Sequence, residues 1–246
     1  MRTFAIFAGI ALVGALIFTI VSFSSSPATE PAAGQPRRET LQERLKRLPA
    51  DHRGWAELGL QYVDQARVTG DPAFYTKAEG ALATAAKLND RDDAVLTGQA
   101  ALAAGRHEFR DAVRLAERAI GANPYGAGAY GVLADARTQL GDLKGAQQAV
   151  DKMLGLRPGV AAFARASYAA ELRGDRDGAR RYLEYAHADA WSPADLAYSR
   201  YYLGELALHA GDLETATGWY ARALQASPPT PPPSPARPGR RRSAAA

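Results

Sequence analysis

Cysteine is absent from this 246-residue chain. That excludes structural disulfides, thiolate metal sites, a cysteine nucleophile and a lipid-modified N-terminal cysteine. Histidine is scarce, and His52, His107, His187 and His209 fall far apart with no H-E-x-x-H pair or other metal-ligand spacing. Serines such as Ser167 and Ser199 sit in no nucleophile elbow. The acidic run Asn89-Asp90-Arg91-Asp92-Asp93 lacks the glycine and distal glutamate of a calcium loop and reads as a capping loop. The residues therefore point to no enzyme, no cofactor and no metal site.

Gly126-x-Gly128-x-x-Gly131 matches the letters of a dinucleotide fingerprint. That motif works only where a strand delivers the glycines to a helix N-terminus, so that backbone N–H groups converge on a pyrophosphate. Here Asn123-Pro124-Tyr125 precedes it and no strand-like run does, so the glycines read as a turn and as small packing positions.

Charge is missing over residues 4–23, where only Thr19 and Ser22 interrupt an apolar run. A helix of that length rises about 30 Å, enough for a bilayer core. The run is read as a membrane segment or export signal; its length favours an uncleaved anchor, while the small residues at 22–26 leave cleavage open. Residues 24–39 follow as a linker rich in Ser, Pro and Ala. Arg2 on a short N-terminal flank favours a bacterial plasma-membrane protein with its body outside the cytoplasm, and Arg44, Lys46 and Arg47 keep the reverse topology open. Acidic residues are missing from 227–246, a Pro/Arg-rich stretch read as a disordered tail. Its four arginines, Arg237, Arg240, Arg241 and Arg242, equal the formal net charge of +4. The array before it is neutral, so the sequence implies no specific nucleic acid, and an anionic polymer or lipid is a possible contact of the tail alone.

What is present is a period. Ala78, Ala112 and Ala146 stand 34 residues apart, as do Pro124 and Pro158. Five copies follow over residues 52–228, opened by Trp55-x-x-Leu58-Gly59-x-x-Tyr62. Gly59 and its counterpart Ala100 are 41 apart, which puts seven extra residues in a longer connection, Gln65 to Tyr75. Gly141-Asp142, Gly174-Asp175 and Gly211-Asp212 mark turns in which glycine closes one helix and aspartate caps the next. Thr40-x-x-Glu43 reads as a capping box for a short helix with Leu41, Leu45 and Leu48 on one face, packed on the first copy.

These residues resemble the tetratricopeptide-repeat family, and most closely its exported or membrane-attached bacterial members. The resemblance implies an all-α superhelix of helix hairpins over residues 40–226. Small residues at the eighth and twentieth positions of each copy, such as Gly59 with Ala78, let paired helices approach. It also implies that the first helix of each hairpin lines a concave groove. Carrying the family's groove positions over gives Asp64, then Asp135, Gln139, Arg165, Tyr168, Glu171, Tyr198, Tyr201, Tyr202 and Glu205 as partner-binding residues. Aromatics at helical spacing equally suit packing against the next hairpin. Ala56, Leu60, Thr97 and Ala101 stand where a carboxylate clamp needs polar side chains, so no such clamp is implied. The implied function is a membrane-tethered, non-enzymatic scaffold that binds a peptide or a subunit, the alternative being an assembly factor for a membrane biogenesis machine. Relatives usually continue into further repeats. This chain turns to proline after Ser227, leaving Trp219, Tyr220 and Leu224 without an evident covering helix.

Overall fold

A computed structural model describes residues 39–227; the segment at 4–23 and the tail from 228 lie outside the described residues. Eleven helices and no strand occupy the described part. Helix α1 (Leu41–Arg47) precedes five antiparallel pairs: α2 (His52–Thr69) with α3 (Ala73–Leu88), α4 (Asp93–Gly105) with α5 (Phe109–Ala122), and α6 (Ala127–Gln139) with α7 (Leu143–Leu156). The last two pairs are α8 (Val160–Leu172) with α9 (Arg176–Asp189), and α10 (Pro193–His209) with α11 (Leu213–Ala226). None of these helices is long and apolar enough to cross a membrane.

Side-chain size sets how each pair closes. The eighth-position residues Ala100 and Ala134 and the twentieth-position residues Ala78, Ala112, Ala146, Ala179 and Ala216 are all buried. Glycine appears where the facing residue is large. A Cβ on Gly59 would stand 2.5 Å from Leu82 Cγ, and one on Gly204 would stand 2.7 Å from a ring carbon of Tyr220. In the fourth pair Ser167 takes this place, and its hydroxyl donates to the carbonyl oxygen of Ala179 at 2.8 Å. A polar group thus enters the core with its hydrogen bond made.

The turns follow the sequence in three pairs out of four that share the short connection. Gly141, Gly174 and Gly211 have φ of 80°, 77° and 81°, and the carboxylates of Asp142, Asp175 and Asp212 accept from backbone N–H groups of the next helix. In the second pair His107 occupies the left-handed position at φ 63°, and Glu108 makes no side-chain cap. A side chain in that region costs about 1–2 kcal/mol. His107→Gly is therefore expected to stabilise the array by about 0.5–1 kcal/mol once the greater flexibility of the unfolded glycine chain is subtracted. Chemical denaturation of both chains measures this.

The seven extra residues of the first copy are not a longer connection. They lengthen the two helices: α2 runs 18 residues where α4, α6 and α8 run 13, and α3 runs 16 where α5 runs 14. Ala66, Arg67, Val68 and Thr69 contain no breaker, so the helix continues until Gly70, whose φ of 70° ends it. At the N-terminal end Thr40 and Glu43 form the capping box, and Leu45, 1% exposed, packs on Leu58 and Ala81.

Successive first helices touch one another, α2 with α4, α4 with α6, α6 with α8 and α8 with α10. Each second helix touches only its own partner and the first helix of the next pair. The first helices are therefore the closer-packed, inner side of the curve, and they form its concave wall.

Candidate peptide-binding groove

Every partner-binding residue read from the sequence lies on a first helix: Asp64 on α2, Asp135 and Gln139 on α6, Arg165, Tyr168 and Glu171 on α8, and Tyr198, Tyr201, Tyr202 and Glu205 on α10. The structure sorts them into a buried ionic floor, a wall of rings and an exposed rim.

The floor is a charge cluster. Arg165 is 1% exposed and grips Asp135 with two bonds, Nε to Oδ1 at 2.9 Å and Nη2 to Oδ2 at 2.7 Å, while Nη1 donates to the Ala161 carbonyl at 3.0 Å. Such a fork-on-fork pair fixes both side chains in direction as well as distance. Gly131 makes the space: a Cβ there would meet Arg165 Cζ and Nε at 3.4 Å and Met153 Sδ at 3.3 Å. The glycine triplet that resembled a dinucleotide fingerprint thus follows helix α5, with Gly126 at the start of α6 and Gly128 and Gly131 inside it. Across from this pair, Arg67 Nη1 lies 3.3 Å from Asp64 Oδ1. Burial raises the Asp135 carboxyl, while Arg165 and then Arg67 act to lower it. Two cations and two carboxylates leave the floor neutral.

Burial likewise pushes the Asp64 carboxyl up to about 6, against the attraction of Arg67 and Arg165. A carboxyl with a raised folded-state pKa favours the fold fully below its unfolded value, and that contribution is lost as pH rises through the folded value. Wild-type protein is accordingly expected to lose stability between about pH 4 and 6 relative to an Asp64→Asn variant. Thermal melts of both chains across that range check the sign.

The wall consists of tyrosines. Ring centroids step from Tyr198 to Tyr202 at 4.6 Å, from Tyr202 to Tyr201 at 5.2 Å and from Tyr201 to Tyr220 of α11 at 5.6 Å. Tyr201 therefore turns away from the groove towards its own hairpin partner, where it is 46% exposed. Tyr202 faces inward. Burial raises its phenol, followed by Tyr201 and by the carboxylates Glu205 and Glu171. Burial and then Glu171 do the same to Tyr168. Both phenols therefore stay protonated at neutral pH and can donate a hydrogen bond to a bound chain.

The rim carries Gln139, which is exposed, with Glu171 and Glu205. His209 Nδ1 sits 3.2 Å from Glu171 Oε1, and the Tyr220 hydroxyl donates to Glu205 Oε1. Sequence reasoning missed Arg67 and His209. The signal for Arg67 was the unbroken run from Tyr62 to Thr69, which allows the helix to continue.

No protein-family model matches the chain, and no curated protein matches it. Solved structures do. A thermophilic tetratricopeptide protein of Thermus thermophilus, TTC0263, superposes with a TM-score of 0.62 at 24% identity, over 71% of this chain and 93% of that one. The fold is a tetratricopeptide-repeat array. PilW, a widely conserved type IV pilus biogenesis factor, gives 0.54 at 17% identity over 78% of this chain and 84% of its own. PilF of Pseudomonas aeruginosa gives 0.53 at 16% identity over 77% and 82%. At these identities the likeness carries the fold alone, so the chemistry of the groove rests on the tetratricopeptide array's own side chains.

Proposed function

We propose that this chain is a non-enzymatic interaction module that holds an extended segment of a partner protein in its concave groove, tethered to a membrane by residues 4–23 with the repeats outside the cytoplasm. The observation that carries the reading is the combination of inward-facing Tyr168 and Tyr202 with Glu171 and Glu205 on the adjacent first helices α8 and α10, with α8 tied to α6 by the Arg165–Asp135 pair. Tyrosine offers large contact area, a polar tip and little rotamer entropy to lose. The tether is supported by the uncharged apolar run alone.

The test is a Tyr202→Ala substitution in the full chain. Partner capture is expected to weaken by about 2 kcal/mol, near thirtyfold, while helical circular dichroism and the melting temperature stay close to wild type. Unchanged capture by the folded variant would move the site off this wall. Carbonate washing of membranes tests the tether: the full chain should stay with the pellet, and a chain lacking residues 1–26 should leave it.

A further inference from the structure

The ring ladder does not stop in the groove. From Tyr198 and Tyr202 it continues through Tyr201 to Tyr220, so aromatic surface runs from the concave side of α10 round to α11. Leu224, 60% exposed, and Tyr201 lie on the open end of the stack, which no further helix covers among the described residues. Helix α11 runs antiparallel to α10, with Arg200 Nη1 near the middle of α10 donating to the Arg222 carbonyl at 3.0 Å, so the last turn of α11 lies towards the N-terminal half of α10. The chain therefore leaves the array at the foot of this ladder.

What leaves is a segment of matching chemistry. Residues 228–235 contain six prolines, and Arg237, Arg240, Arg241 and Arg242 follow with no acidic residue. Proline-rich chains in the polyproline II form dock on aromatic-lined grooves, because the stiff chain has little entropy left to lose. At about 3.1 Å per residue, the ten residues from Ser227 to Arg237 span roughly 30 Å. Helix α10, with 17 residues, is about 25 Å long. A proline stretch of that span laid along α10 would cover the ladder and bring the arginines level with the far end of α10, where Glu205, Glu171 and His209 lie. Arg165 is matched by Asp135 and Arg67 by Asp64, whereas Glu171 meets only the imidazole of His209 and Glu205 the Tyr220 hydroxyl, so neither glutamate has an arginine or lysine partner among the described residues.

We infer that residues 228–242 dock on this ladder in cis, prolines on the rings and arginines against Glu171 and Glu205, and that a partner must displace them. The inference rests on the proposed use of the groove. It makes occupancy salt-sensitive, since the arginine contacts are exposed and are screened within about 8 Å at physiological ionic strength.

The absence of cysteine allows a direct test. Full-length chain carrying Ser243→Cys with a nitroxide label, in neutral-headgroup micelles, should lose most of the amide signal intensity at residues 168–171 and 198–205, while the outer helices α5 and α7 keep theirs. The loss should vanish when Arg237, Arg240, Arg241 and Arg242 are all changed to Glu. It should not appear when nitroxide-bearing chain without isotope is mixed with isotope-labelled chain without nitroxide. Undisturbed signals at 168–171, loss that survives the charge reversal, or loss that occurs only between molecules would overturn the inference. A groove that captures its partner through Tyr202 while the signals at 168–171 and 198–205 stay undisturbed by the tail label would remove the tail alone and leave the proposed function standing.

Discussion

Replacing Arg165 with methionine is expected to destabilise the array by about 3–5 kcal/mol, because it leaves the Asp135 carboxylate in its half-buried place without the guanidinium that holds it. Arg165 is 1% exposed and makes three of its bonds to Asp135 and Ala161, so water cannot simply take its place. The penalty should depend on pH. Burial already raises the Asp135 carboxyl against the pull of Arg165, and without that pull the rise is larger. The variant then recovers towards wild type in acid, where the carboxyl is neutral, and falls behind as pH rises through the raised value. A second substitution, Asp135→Leu, should restore most of the loss, since an apolar pair of similar size avoids the desolvation of both charges. Denaturant unfolding of the three variants at pH 5 and pH 8 measures all of this. A Met variant as stable as wild type at pH 8 would mean the pair is not a structural tie.

The second large effect lies in the first hairpin. Leu82 is 1% exposed and fills the space left by two glycines: a Cβ on Gly59 would come within 2.5 Å of it and one on Gly98 within 2.4 Å. Leu82→Ala should therefore cost about 2–5 kcal/mol through lost burial and the cavity that remains. Gly59→Ala alone should cost about 1–3 kcal/mol by overpacking against a side chain that has nowhere to move. Combined with Leu82→Ala, the same Gly59→Ala change should turn stabilising, because the methyl enters the vacated space and alanine favours helix over glycine by roughly 0.5–1 kcal/mol. The change of sign is the diagnostic result. Additive losses would show that the two residues do not share the site.

The repeat was legible because it is written in side-chain volume. Ala78, Ala112 and Ala146 recur where only small residues fit, and each is buried where that register puts it. The glycine turns were legible for a similar reason, since φ near +80° at Gly141, Gly174 and Gly211 is a backbone requirement. His107 escaped notice because it fills the same backbone position with a residue that carries no such signal. The extended α2 escaped because the period predicts a helix end near Asp64, while local propensity carries the helix on to Thr69. In the groove, the family register placed the right helices but not the direction of each side chain. Tyr201 and Tyr202 are neighbours in sequence, and helical rotation sends one to α11 and the other into the groove. The partnership of Arg165 with Asp135, 30 residues apart, is equally invisible until two first helices are seen side by side.

The groove as the binding surface is tested most directly by a photo-reactive amino acid placed singly at Tyr202 or Tyr168 on the inner wall, and at Arg118 or Arg181 on the second helices, in the full chain in intact membranes. Cross-links to one partner segment from Tyr202 and Tyr168, and none from Arg118 and Arg181, are the expected result. Partner cross-links from the second helices, with the inner wall silent, would contradict it.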